Sequence, residues 1–306
     1  MSNMAWPLAC PECRNPVGSS DCLQDRLDCS QCGCALIRSQ GIWDAFAPGR
    51  QQAFRPFLDD YTRIRKAEGR GSDSPDYYLN LPECPREHPV AWQWKIRRAT
   101  YRKLLAGEVP CWKPGARVLD LGAGVGWLSH RLAQMGFRPC AVDLSRDDED
   151  GLGAARHYRP RWPRMCAEFD RLPLADGVAD VAVFNASLHY SGDYKRTLGE
   201  ALRTLSGGGR LVVLETPVYR KEASGREMAA QRHADFQKRY GTASDALPSI
   251  EFLTWDWIAE LGRDLGLKWQ ILRPFYGLKW HLRPFKARIK GTREPSQFVI
   301  LSAPAP

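Results

Sequence analysis

Residues 117–145 read RVLDLGAGVGWLSHRLAQMGFRPCAVDLS. An apolar run ends in Asp120, glycines follow at 122, 124 and 126, a stretch at helical spacing comes next, and a second apolar run ends in Asp143. The pattern predicts strand, tight turn, helix, strand. Gly122, Gly124 and Gly126 leave the turn without side chains, so the chain can bend sharply and a ligand can lie against the main chain. The spacing departs from the dinucleotide fingerprint, which would want glycine where Trp127 stands. Asp143 follows Gly122 by 21 residues and closes the second strand. A carboxylate there can accept both hydrogen bonds of a ribose diol.

Outward from this stretch the chain keeps alternating. Strands are expected at MCAEF, VADVAVFNA and GRLVVLET, with helices at GWLSHRLAQMG, around DDEDGLGAARHY, and at DYKRTLGEALRTL. LKWQILRP and SQFVILSA supply closing strands, the second of them antiparallel. Such alternation implies an α/β, Rossmann-like, seven-stranded, mostly parallel sheet with helices on both faces. Ligands of such sheets bind beyond the carboxyl ends of the strands, where Asp120, the glycines and Asp143 all fall.

The cysteines point to a second module. Six of the ten lie in the first 34 residues, and CPEC and CSQC are separated by 15 residues. Each C-x-x-C turns tightly enough to aim two thiolates at one ion, so Cys10, Cys13, Cys29 and Cys32 are the expected ligands of a structural zinc. Competing readings are a redox dithiol, or a site in which Cys22 or Cys34 replaces one ligand. About 35 residues hold too little core to fold unaided, and a metal can supply the missing folding energy. The expected organisation is a zinc ribbon over 1–46, a helical linker or cap over 47–112, and an α/β domain over 113–306 with a lid insertion near 217–250. In the linker, FRPFLDDYTRIRKAEG and PVAWQWKIRRATYRKLL read as helices. No apolar run approaches the ~20 residues needed to cross a bilayer, and no secretory leader is evident, so a reducing cytoplasm and no membrane partner are expected.

VLDLGAGVGWLS resembles the first motif of the class I S-adenosylmethionine (SAM)-dependent methyltransferases, and the likeness runs over roughly 114–216. It implies that Gly122, Gly124 and Gly126 hold the methionine and ribose portions, Asp120 the amino-acid end and Asp143 the ribose. AEFDRLPLADGVADVAVFNASLHY is similar to the family's next segment and implies that Glu168 meets the adenine amino group and Phe169 the adenine ring. The zinc module in front resembles that of ribosomal RNA guanine methyltransferases. Those usually carry a histidine in the second knuckle, where this chain has Cys32 and Cys34. CPEC…CSQC…GIWDAF also looks like small zinc-ribbon proteins that activate methyltransferases.

For the acceptor, the segment after the fourth strand reads FNASLHY, with neither the signature of exocyclic base-amine methyltransferases nor a Pro-Cys pair. Asn185 is expected near the sulfonium end. His189 and Tyr190 are the titratable pair nearest the methyl path, and an imidazole with a pKa near ~6.5 can take a proton from a hydroxyl or amine. SGREMAAQRHADFQKRYGTASD predicts a helix roofing the pocket, and Tyr219 and Arg220 stand where they could face the acceptor. Between 263 and 293, nine cations stand against Asp264 alone, with Trp269, Phe275, Tyr276, Trp280 and Phe285 interleaved; the whole chain carries +9. Such a strip can bind phosphates and stack bases, take an acidic metabolite, or be a solvated face. The preferred expectation is therefore methyl transfer from SAM to an oxygen or nitrogen of a small-molecule acceptor, an acidic one included. The alternative is methylation of an RNA base, gripped by ribbon and strip. A third reading is a non-catalytic zinc-dependent binding or activator module.

Overall fold

The computed structural model describes residues 5–159 and 161–306. The outer boundary of the ribbon, drawn at residue 1, lies outside them. The ribbon opens with a hairpin of β1 (Pro7–Ala9) and β2 (Pro16–Ser19). A meander follows: β3 (Arg26–Asp28), β4 (Ala35–Ser39) and β5 (Ile42–Asp44). Helices α1 (Arg50–Ala67), α2 (Pro75–Asn80) and α3 (Ala91–Gly107) lead to β6 (Arg117–Leu121), α4 (Trp127–Gln134), β7 (Arg138–Asp143), β8 (Arg164–Cys166) and β9 (Ala179–Asn185). Then come α5 (Tyr194–Thr204), β10 (Leu205–Leu214), β11 (Val218–Tyr219), α6 (Glu222–Tyr240), β12 (Leu253–Thr254) and α7 (Trp255–Asp264). The chain closes with β13 (Gln270–Leu272), α8 (Leu278–His281), α9 (Arg283–Ile289) and β14 (Ile300–Pro304).

The main sheet runs β13-β14-β10-β9-β6-β7-β8-β5-β4-β3. Its central pairs are parallel, and β14 lies antiparallel between β10 and β13, as the two closing segments predict. The expected seven strands become ten because β5 pairs in parallel with β8, Trp43 opposite Met165 and Asp44 opposite Cys166. Three ribbon strands thereby continue the central sheet. The segment around DDEDGLGAARHY, expected as a helix, is a 3₁₀ stretch, Leu152–His157. A Cβ on Gly153 would overlap Asp148, and Asp147 Oδ1 takes the amides of Glu149 and Asp150, holding the chain in a turn.

The strands are buried on both faces, which is why they read as apolar runs. Leu119, Cys140, Ala182 and Leu211 point into one core, and Val118, Ala141, Val181 and Val212 into the other. The first core takes the apolar stripe of α5 together with Trp6, Leu8, Leu36 and Trp43 of the ribbon. This N-terminal module therefore does not depend on its own small core. Trp6 and Trp43 are fully buried, and truncating a core tryptophan costs about 3–5 kcal/mol. Arg14 adds an ion pair to Glu200 of α5. The second core takes α3 and α4, bringing the linker over the carboxyl ends of the strands.

Candidate functional site

A cavity of about 510 Å³ opens at those carboxyl ends. Its floor is the stretch that opens the sequence reading. Gly122, Gly124 and Gly126 have φ of 75°, 53° and 73°, the left-handed region that glycine enters freely. A Cβ on Gly122 would overlap the Ser187 side chain. Asp143 shapes the loop: Oδ2 accepts from Gly124 N at 2.7 Å and Oδ1 from Ser145 N at 2.8 Å. Burial raises its pKa, and these two amides work against that rise.

Of the residues singled out in the sequence, Gly122, Gly124, Asp143, Phe169, Asn185, His189 and Tyr190 line this cavity together. Phe169 stands edge-on to Phe184, with ring centres 5.4 Å apart. Asp120, Gly126 and Glu168 are not among the lining residues. Asp120 lies beneath the loop, where Oδ2 accepts from Ser129 Oγ at 2.8 Å, Oδ1 has no partner among the described residues, and burial pushes its pKa up to about 7. Gly126 caps α4. Both oxygens of Glu168 accept from Arg50 of α1, at 2.8 and 2.6 Å.

The roof comes from elsewhere. Phe57, Tyr61 and Arg65 of α1, Trp92, Ile96 and Arg97 of the α3 region, and Arg232 and Phe236 of α6 close the cavity from above. Tyr190 packs edge-on against Phe57 and Tyr61, with ring centres 5.8 and 6.1 Å away. Desolvation lowers the pKa of the half-buried His189 to about 3, with Arg232 and Arg97 adding to the fall. It is a neutral hydrogen-bonding group and a weak base. Tyr219, expected to face the acceptor, instead lies buried in β11 and takes a hydrogen bond from Arg293 at 3.2 Å.

Two groups escaped the sequence reading. Glu215 follows β10 at φ 55°, a strained position for a residue with a side chain. Its Oε1 has no partner among the described residues, and burial raises its pKa against the opposing pull of Arg97. Arg97 lies 3.9 Å from Glu215, stacks over Trp94 at 4.6 Å, and donates no hydrogen bond among the described residues. Glu215 stands at a strand's carboxyl end, so the rule that located Asp143 could have found it. Arg97 gave no signal: it is one arginine in a basic helix.

At the other end of the chain the four cysteines converge. Their sulfurs all lie within 4.8 Å of one another, Cys10 to Cys32 at 3.5 Å and Cys13 to Cys29 at 3.4 Å. The two knuckles match. Arg14 and Gly33 follow the second cysteine of each pair with φ of 68° and 74°, and each returns its amide to the first cysteine's carbonyl at 2.9 Å. Tetrahedral thiolates around zinc sit about 3.8 Å apart, so this set fits that ion. Cys22 turns to the Gln24 carbonyl and Cys34 toward that of Phe46, so neither joins the cluster.

Known proteins share both the motif and the fold. Residues 119–213 match the family model described as a methyltransferase domain. A demethylmenaquinone methyltransferase of Mycobacterium marinum is 38% identical over 124 residues, 40% of this chain and 49% of that one. The chain spans about half the length of the curated relatives it matches. Among solved structures, the 1,6-didemethyltoxoflavin-N1-methyltransferase of Burkholderia thailandensis superposes with a TM-score of 0.51 at 17% identity, over 92% of this chain and 99% of that one. A chain of the solved complex of the Haloferax volcanii Trm112 methyltransferase activator gives 0.51 at 18% identity, over 76% and 97%. The fold is the Rossmann-like fold of these solved methyltransferase structures, and residues 119–213 match a methyltransferase domain.

Proposed function

We propose that this protein transfers a methyl group from SAM to an oxygen or nitrogen of a small-molecule acceptor. The reading rests on one observation: a single cavity has bare backbone and a strand-end carboxylate below, and an aromatic, mostly apolar roof above. The residues fit SAM. Gly122 and Gly124 leave the loop open to a ligand, Asp143 presents its carboxylate to the cavity, and Asp120, buried beneath the loop and bonded to Ser129, supports that floor from below. Asn185 and Phe169 complete that floor. SAM supplies an electrophilic methyl on a sulfonium, so the chain's own work is alignment, exclusion of water and disposal of one proton.

The acceptor lies, on this reading, between His189 and Tyr190 on one side and Arg97 and Glu215 on the other. The Arg97 guanidinium, 3.9 Å from Glu215 and donating no side-chain hydrogen bond among the described residues, favours an acceptor with a carboxylate or other anionic oxygen. His189 accepts a hydrogen bond and orients the acceptor, and Glu215, its pKa raised by burial, is the better-matched group to take the proton. The relatives named for demethylmenaquinone and 1,6-didemethyltoxoflavin support an acceptor of small size. Purified protein incubated with labelled SAM and fractionated cell extract, with and without nuclease, tests the reading. Label in a nuclease-resistant small-molecule fraction is expected, and label in a nuclease-sensitive fraction would overturn it in favour of RNA.

For the ribbon we propose one structural zinc held by Cys10, Cys13, Cys29 and Cys32, supported by the convergence of the four sulfurs. Four thiolates close the coordination sphere and leave no position for substrate. Metal analysis should return about one ion per chain, and chelation should lower the melting temperature while the α/β core remains folded.

A further inference from the structure

We propose that the helical segment 275–290 is a docking surface for an anionic phospholipid membrane. The bonds Leu282 N to Leu278 O, Lys286 N to Leu282 O and Lys290 N to Lys286 O, all at 3.0 Å, carry one helical course from α8 into α9. Along it Leu278, Leu282, Phe285 and Ile289 recur at intervals of four, three and four, which sets them on one face. That face is bare: the four are 74, 49, 64 and 70% exposed, and Phe275 just before them is 66% exposed. Neither helix buries a single residue. The other exposed large apolar residues among those described are scattered along the chain, whereas these five stand within 15 residues. An apolar stripe of this kind on the surface marks an interaction site.

The charge around the stripe identifies the partner. From Leu265 to Arg293 there are eight lysines and arginines and no acidic residue. Lys279, Lys286, Arg288 and Lys290 form no ion pair among the described residues, so their charge is free for an external anion. An apolar face bordered by cations is the pattern of a helix lying in the plane of an anionic bilayer. A second copy of the chain would bring the same cations face to face, which opposes self-pairing. Nucleic acid fits less well. Leu278, Leu282 and Ile289, three of the five exposed apolar residues, cannot stack on bases; Phe275 and Phe285 could, while Tyr276 and Trp280 are only partly exposed. Tyr276 bonds Thr100 at 2.9 Å, and Trp280 packs on Phe298, with centres 5.5 Å apart. Phe298 also lines the cavity, so docking here sets the cavity wall beside the lipid. Peripheral attachment needs no spanning helix, and none of the described helices is long and apolar enough to span. The expectation of no membrane partner rested on that absence and on the lack of an evident secretory leader, neither of which bears on peripheral attachment.

Cosedimentation of the full-length protein with vesicles of phosphatidylcholine alone, or mixed equally with phosphatidylglycerol, tests the proposal. We expect at least tenfold more protein on the anionic vesicles, with most of it released at about 0.5 M salt, where exposed charges are screened. The exposed pair Leu282→Glu and Phe285→Glu should lose binding at least tenfold with melting temperature and SAM uptake unchanged. Lys286→Glu with Lys290→Glu should weaken it similarly at low salt. Equal retention of wild type and the Leu282/Phe285 variant, or no retention of wild type, would overturn the proposal. Two other results would reassign the surface: a concentration-dependent dimer abolished by Leu282→Glu, or nuclease-sensitive RNA binding abolished by the lysine variant while vesicle binding persists.

Discussion

The floor and the roof of the cavity meet the same ligand space with different chemistry. On the floor the polar contacts are main-chain amides: Gly124 and Ser145 hold Asp143 at 2.7 and 2.8 Å, and Gly122 keeps its place because no side chain fits beside Ser187. On the roof the contacts are side chains from distant segments: Tyr190 against Phe57 and Tyr61, and Arg97 beside Glu215. A backbone-built floor tolerates almost no substitution but recognises one ligand shape. A side-chain roof can be repacked, and so sets which acceptor is taken. The two halves should therefore fail differently when mutated.

The sharpest break is expected at Gly122→Val. A side chain at φ 75° costs about 1–2 kcal/mol through backbone strain alone, and its overlap with Ser187 adds to that. SAM uptake by calorimetry should vanish and the melting temperature should fall; wild-type affinity would dissolve the distinction between floor and roof. Asp143→Asn comes next. It keeps the size but loses the charged acceptor, and a hydrogen bond to a charged group is worth about 1.5–3 kcal/mol, so SAM should bind some 10- to 100-fold more weakly. Arg97→Leu moves to the roof. It should lower kcat/KM for the acceptor by about 100-fold while SAM affinity stays within about twofold. A parallel loss of SAM affinity would mean that roof and floor are one unit.

Smaller effects should appear in pH dependence. A rate that needs the Glu215 carboxylate ionised rises with pH through a pKa above the ordinary carboxylate range, and Glu215→Gln should remove that limb. His189 should add no inflection near 6.5, because burial holds it neutral down to about 3. His189→Ala should then reduce turnover about tenfold without reshaping the profile or changing SAM affinity. The same burial acts on stability. The unfolded imidazole takes a proton near ~6.5 and the folded one only near 3, so stability contributed by this site falls as pH drops through that window. Thermal melts of wild type and His189→Asn across pH 4–7 should diverge toward acid.

Legibility in the sequence follows the same division. The parallel strands, the glycine loop, Asp143 and the paired knuckles could all be read because each is set by residues close together in the chain. Continuous apolar runs, left-handed turns and C-x-x-C spacing are local constraints. The partner of Glu168 was not legible, for a tertiary reason: nothing near it announces Arg50, 118 positions away, which donates to both its oxygens. His189 was found, but its basicity was not, since a pKa depends on what is packed around a ring and not on its neighbours in sequence.

By itself, then, the sequence determined an α/β sheet with a glycine-loop floor and a four-thiol cluster, because both are written in contiguous spacing that any fold of this chain must obey. Only the tertiary structure decided that β5 joins the ribbon to β8, that Arg97 and Glu215 meet above the floor, and that the stripe from Leu278 to Ile289 stays uncovered. Each of those depends on which distant surfaces come to rest against one another, and the free energy of that choice is summed over the whole core.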